Sequence, residues 1–156
     1  MTGLIAIVVV VAVLIFAGSA VYKEEKPPAS VSTQDSEFLG WASETLEQLD
    51  VTLLIEAEER YDSAAVYRYS GMLYNDAYKA LSEIDQFSVS PKLQPSKDEF
   101  KLMLQDLKYA MYYTERGARN TLFKGVVDPY NIKTGTEYLQ SYNKHLKRVN
   151  ALLKRR

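Results

Sequence analysis

EERYDSAAVYRYSGMLYNDAYKALSEIDQF, residues 58–87, is the stretch whose reading decides the fold. From Val66 onward, Ser70, Leu73, Ala77, Ala80, Ile84 and Phe87 recur every three or four residues, the period of one buried helix face. Upstream, Leu39, Ala42, Leu46, Leu49 and Leu53 make a second stripe of the same period but different phase. One straight helix cannot bury both stripes on one side. Tyr61-Asp62-Ser63 lies between them, and Asp62 or Ser63 suits an N-cap, where a short side-chain oxygen accepts from the free amides of a first turn. The pattern therefore predicts two helices joined by a tight turn near residues 60–63. A single helix of about 50 residues is the competing reading, and it is several times the usual helix length.

Toward the C-terminus, FSVSPKLQPS at 87–96 reads as a loop by its two prolines. Ser96-Lys97-Asp98-Glu99 has the form of a capping box, in which serine and glutamate satisfy each other's backbone amides. The helix it would open buries Phe100, Met103, Leu107, Ala110, Thr114 and Gly117. That helix ends near Lys124-Gly125, where glycine can take the left-handed conformation. Asp128-Pro129 begins the next connection, and Thr134-Gly135-Thr136-Glu137 is a second capping box in form. The last helix carries Leu139, Tyr142, Leu146, Val149 and Leu153 at the same spacing. No strand-like alternation of useful length occurs. The expected fold is all-α, an antiparallel up-down four-helix bundle over residues 35–156.

Toward the N-terminus the composition changes. Residues 3–22, GLIAIVVVVAVLIFAGSAVY, carry no charge. As a helix they would span about 30 Å, the thickness of a bilayer's hydrocarbon core. The expectation is a transmembrane anchor over residues 1–22 and a Pro/Ser-rich linker over 23–34. The alternative is a signal peptide cut after Ala20, with Gly18 and Ala20 as the small residues at the cut; the missing basic start favours the anchor. Lys23 and Lys26 follow the span and favour a C-terminal domain inside. The signal-like start and the spacer favour the outside, and an extracytoplasmic bundle on a single-pass anchor is the reading adopted.

Composition excludes more than it selects. The chain has 156 residues, a net charge of −1 and no cysteine. Disulfides, thiolate metal sites and a cysteine nucleophile are thereby ruled out. A near-neutral chain whose basic residues are not interleaved with exposed aromatics is a poor fit to nucleic acid. Residues 35–62 hold nine acids and one base, while six Lys/Arg and no acid follow from Lys144. This asymmetry predicts that the first and last helices are neighbours with complementary faces.

No motif supplies chemistry. A ferritin-like di-iron site needs Glu-x-x-His on two helices, and the single histidine, His145, has Tyr142 three residues before it. His145 flanks the Tyr142/Leu146 stripe and reads as the edge of a core. Glu56 and Glu59 share a face and read as solvated surface. Phosphate loops, nucleophile elbows and dinucleotide fingerprints are missing. The carboxylates face water by pattern, so no raised pKa is expected. Neither a cofactor nor an enzymatic activity is expected.

The distinctive feature is 12 tyrosines against 5 phenylalanines and one tryptophan. Tyr67, Tyr74 and Tyr78 share one face of the second helix; Tyr109, Tyr112 and Tyr113 cluster on the third, and Tyr138 and Tyr142 lie on the fourth. Tyrosine at a bundle margin buries its ring and leaves its hydroxyl wet. It is also enriched at protein interfaces. Tyr69, Tyr109, Tyr112 and Tyr113, with Arg116 and Arg119 beyond them, are the candidate interaction surface. The expected function is a membrane-anchored interaction module. It would touch the bilayer through residues 3–22 and bind an unidentified protein or a second copy of itself. A small-ligand or sensor-like bundle is the alternative, as is a secreted bundle after signal cleavage.

Overall fold

The computed structural model describes residues 32–154, so the anchor, its cut site and most of the linker lie outside the described residues. Helix α1 (Thr33–Gln48) starts where Ser32 Oγ accepts from the Asp35 amide at 3.1 Å. Buried Asp35 then accepts from the Ser90 amide at 2.8 Å, fastening the start of α1 to the distant 87–93 loop. The helix stops at Leu49. Asp50 Oδ1 accepts from both the amide and the hydroxyl of Thr52, at 2.9 and 2.5 Å, and so starts α2 (Thr52–Glu59) on a new axis.

The turn after α2 is a Schellman motif. The Asp62 amide donates to Ala57 O at 2.9 Å and the Tyr61 amide to Glu58 O at 3.0 Å. Tyr61 occupies the left-handed position at φ +54, a place where glycine is usual. Asp62 Oδ1 accepts from the Ala65 amide at 2.9 Å and caps α3 (Ser63–Glu83). A 3-10 turn (Ile84–Gln86) follows, then α4 (Gln94–Lys124) and α5 (Pro129–Lys154). Between the last two, Gly125 at φ +64 lets the chain reverse.

Among the described residues the fold is all-helical, four rods with the first one broken. Tyr67 meets Phe123, Tyr74 meets Tyr112 and Asp85 meets Lys101. Partner numbers fall as α3 numbers rise, so α3 and α4 are antiparallel. Glu99 with His145, Tyr113 with Tyr138 and Gly117 with Ile132 give the same result for α4 and α5. Gly135 makes this second pairing close: a Cβ there would lie 3.3 Å from Thr114 Oγ1 and 3.4 Å from Ala110 O. Phe38 joins α1 to this frame through edge contacts with Phe87 and Phe100, at 6.0 and 6.3 Å between ring centroids. Trp41 packs on Phe87 and Phe100, and its Nε1 donates to Glu83. Phe38, Leu54, Ile84, Phe100, Leu104 and Met111 are fully buried, each contributing about 1.5–3 kcal/mol by leaving water.

The two-helix reading of residues 58–87, the Asp62 cap and the glycine stop at residue 125 all agree with the structure. Four details differ. The first stripe holds at Ala42 and Leu49, which are core, and at Leu39 and Leu46, which pack half-buried against it, but Asp35, Phe38 and Thr45 are buried beside them on α1 and Leu53 is 50% exposed. Phe38 finds an aromatic pocket that Leu39 cannot fill, and the break at Asp50 resets the phase. Ser96 is not a cap. It is buried within α4, which begins at Gln94 because Pro95 needs no amide partner in a first turn, and Glu99 turns to His145. Thr134 likewise lies inside α5. That helix starts at Pro129, with Asp128 Oδ1 accepting from the Asn131 amide at 3.2 Å. Finally, α5 finds its acids on α4: His145 lies 2.5 Å from Glu99 and 3.6 Å from Asp106, and Arg148 pairs with Glu99. Among the described residues no ion pair joins the first rod to α5.

Candidate functional site

Antiparallel packing sets tyrosines from three helices side by side. Tyr78 stacks on Tyr74 of the same helix, and Tyr74 meets Tyr112 of α4 with centroids 6.2 Å apart. Tyr112 touches Tyr113 at 5.2 Å, and Tyr113 stacks on Tyr138 of α5 at 5.9 Å with planes 7° apart. Tyr138 returns to Tyr109 at 5.2 Å, and Tyr130 abuts Tyr113 at 6.2 Å. Seven rings thus form one unbroken belt. Tyr78, Tyr109 and Tyr130 are exposed, the last by 68%. Burial, then the nearby Tyr130 phenol, raises the pKa of Tyr113 above its ordinary value.

Cations edge the belt. Arg116 donates to Tyr112 Oη at 2.6 Å and lies 5.3 Å from its ring centroid; Lys108 lies 4.5 Å from that of Tyr109. Such contacts hold a cation over an aromatic face while leaving other N–H groups free. Beside Tyr112 runs an open groove bounded by Tyr67 and Phe123, with Arg116, Arg119 and Lys124 against the single acid Glu115. Of the residues singled out from sequence, the structure unites Tyr109, Tyr112, Tyr113, Arg116 and Arg119. Tyr69 stands apart, half-buried against the core, with Arg68 donating to its hydroxyl at 3.0 Å.

Behind Tyr113 lies a second feature, a cavity of about 60 Å³ between α2, α4 and α5. Glu58 projects into it. This side chain is only 7% exposed, and its Oε2 has no hydrogen-bond partner. Burial alone pushes the Glu58 carboxyl from 4.5 up to about 7. The expectation that every carboxylate faces water is therefore wrong for this residue. The α2 phase explains why: Val51, Leu54 and Glu58 follow one another at three- and four-residue steps, and Val51 and Leu54 are core. A stripe drawn through Leu53 hides that signal.

His145 and Glu56 take structural parts. His145 is clamped between α4 carboxylates, and Glu56 pairs with Arg60 one turn on. Among the described residues no group of three or more His, Asp or Glu is placed to hold a metal ion, and no helix is long and apolar enough to cross a membrane. Comparison with family models, with curated proteins and with solved structures finds no match.

Proposed function

We propose that the chain is a membrane-tethered, up-down four-helix bundle that docks an acidic segment of a partner protein on its tyrosine belt. The observation that carries this reading is the unbroken belt across α3, α4 and α5, ending in the groove of Arg116, Arg119 and Lys124. Rigid rings give contact area at little entropic cost, and tyrosine and arginine are the residues that most often anchor interfaces. Three cations against one acid make the groove complementary to carboxylates, and guanidinium forks recognise them bidentately. The uncharged run 3–22 supplies the tether, and the lysines after it leave the extracytoplasmic side as part of the proposal. The reading is of a binding module, not an enzyme.

Site-specific photocrosslinking in intact cells tests it. A crosslinker at Tyr78, Tyr109 or Tyr130 gives one discrete adduct, and the same group at exposed Glu44 gives none. Arg116→Glu with Arg119→Glu abolishes the adduct while helix content is kept. Adducts of equal yield on both faces, or adducts indifferent to charge reversal, refute the docking role.

A further inference from the structure

Glu58 stands in a cavity wall where two neighbouring hydroxyls, those of Thr121 and Thr136, serve as acceptors. Thr121 Oγ1 gives its proton to Gly117 O at 3.1 Å, and Thr136 Oγ1 gives its proton to Ile132 O at 2.9 Å. Both threonines line the cavity, so both present lone pairs to it. Glu58 itself belongs to the last turn of α2, where the helix dipole is negative. No lysine, arginine or histidine lines the cavity, and among the described residues no ion pair reaches Glu58. Val66, Ala118, Ile132 and Leu139 give the wall an apolar side, and Ser63 and Thr114 add two further hydroxyls. A carboxylate this buried and unpartnered is costly to keep.

Tyr61 bears on the same cavity from its mouth. It is 54% exposed, it lines the opening, and it holds a left-handed backbone that most side chains avoid. Such strain in a non-glycine residue clusters at ligand clamps. An aromatic ring at the entrance and a carboxylate at the base suit an organic cation. The cavity of about 60 Å³ equals the share of about two waters in the liquid, room for a methylene and a nitrogen.

We infer that this cavity is a binding site for a primary ammonium head group, –CH2–NH3+, with its three N–H donors turned to Glu58, Thr121 and Thr136 and its apolar remainder leaving past Tyr61. An inorganic anion would meet the Glu58 carboxylate, and a quaternary ammonium has no N–H to give. The site is distinct from the belt, with which it shares only Tyr113. A free amine and the ε-ammonium of a protein lysine have the same head.

Calorimetric titration of the full chain in nonionic detergent, in amine-free buffer near pH 8, tests the site. Propylammonium binds saturably with one site per chain, and 1-propanol and tetramethylammonium give no saturable heat. Glu58→Gln weakens propylammonium at least roughly tenfold, the loss of a charge-assisted contact, whereas exposed Glu59→Gln leaves it unchanged. Lowering the pH to about 5 has the same effect as Glu58→Gln. Among the described residues, the other titratable groups on the wall are the phenols of Tyr61 and Tyr113. Thr136→Val, which keeps the carboxylate, weakens binding severalfold and serves as the second variant should Glu58→Gln lose helix content. N-acetyl-lysine amide binding more tightly than propylammonium assigns the head to a protein; the reverse assigns it to a small amine. Binding that survives both Glu58→Gln and Thr136→Val, equal binding of 1-propanol, or no saturable heat at millimolar propylammonium overturns the inference. None of these outcomes depends on the crosslinking result at the belt.

Discussion

Replacing Glu58 by glutamine should change how stability depends on pH, with a sign opposite to ordinary acid denaturation. The Glu58 carboxyl has a pKa of about 7 when folded and about 4.5 when exposed. Between those values the folded chain binds more protons than the unfolded one, so stability falls as pH rises. The stabilisation is complete below about pH 4.5 and gone once pH passes about 7. At about 1.4 kcal/mol per pKa unit, the shift from 4.5 to about 7 is worth roughly 3 kcal/mol. That is a large part of a domain's usual 5–15 kcal/mol, and roughly 10 °C in melting temperature for about 120 residues. Exposed Asp85 and half-buried Asp128 act in the other direction: Lys101 holds Asp85 low, and hydrogen bonds from the Asn131 backbone and from Asn120 hold Asp128 low. Their contribution is present above the ordinary carboxylate range and is lost as pH falls, and it is common to both proteins. The difference between wild type and Glu58→Gln therefore isolates Glu58. Urea denaturation from about pH 4 to 8 should show the glutamine variant gaining relative stability steadily up to about pH 7 and no further. Buffers must be free of amines, since a bound ammonium would hold the carboxylate ionised. Parallel curves for the two proteins would refute the buried, unpartnered placement of Glu58.

Other consequences concern the frame. Phe100→Ala removes a ring that is 1% exposed and touches both Phe38 and Trp41; it should cost about 3–5 kcal/mol in urea denaturation and shift the emission of the single tryptophan to the red. Tyr61→Gly should raise thermal stability by about 1 kcal/mol, because glycine takes φ +54 without strain, while weakening amine binding at the cavity mouth. Gly125→Ala should do the reverse and cost about 1–2 kcal/mol at φ +64. Equal effects at Tyr61 and Gly125 would show that the left-handed conformation is not what sets either energy.

Tyrosine count, by contrast with position, was visible from the start. Tyr109, Tyr112 and Tyr113 cluster within one turn of α4, and any helical reading places them near one another. Their partners were not visible, because Tyr74 meets Tyr112 only once α3 and α4 run antiparallel in one register. Tyr69 shows the limit of the argument from one helix. It sits off the Tyr67/Tyr74/Tyr78 face, and exposure there would have argued for an interface. Yet it packs half-buried against the core. A residue's own helix fixes its direction, and the neighbouring helix fixes whether that direction is wet.

Glu58 makes the same point with chemistry attached. Helix boundaries were legible wherever the chain itself stops a helix: Asp62 as acceptor, Gly125 as the left-handed residue. They were misread where a side chain was claimed by a distant partner instead. Ser96 and Glu99 have the form of a cap, but Glu99 is drawn to His145 across the α4–α5 interface. Asp50 caps Thr52 through two short bonds, and this local event turns the axis of the first rod. Without that turn the Leu39–Leu53 stripe would have continued and Glu58 would have stayed on the wet side. With it, Val51, Leu54 and Glu58 face inward together, and a carboxylate arrives in a cavity where the Thr121 and Thr136 hydroxyls donate to their own helices. Asp50→Ala should therefore act at a distance. By loosening the break it should let Glu58 reach water, and the pH-dependent difference between the carboxylate and glutamine forms should shrink in the Asp50→Ala background. If that difference is undiminished while α2 stays helical, packing against α4 and α5 rather than the Asp50 turn is what sets the orientation of Glu58.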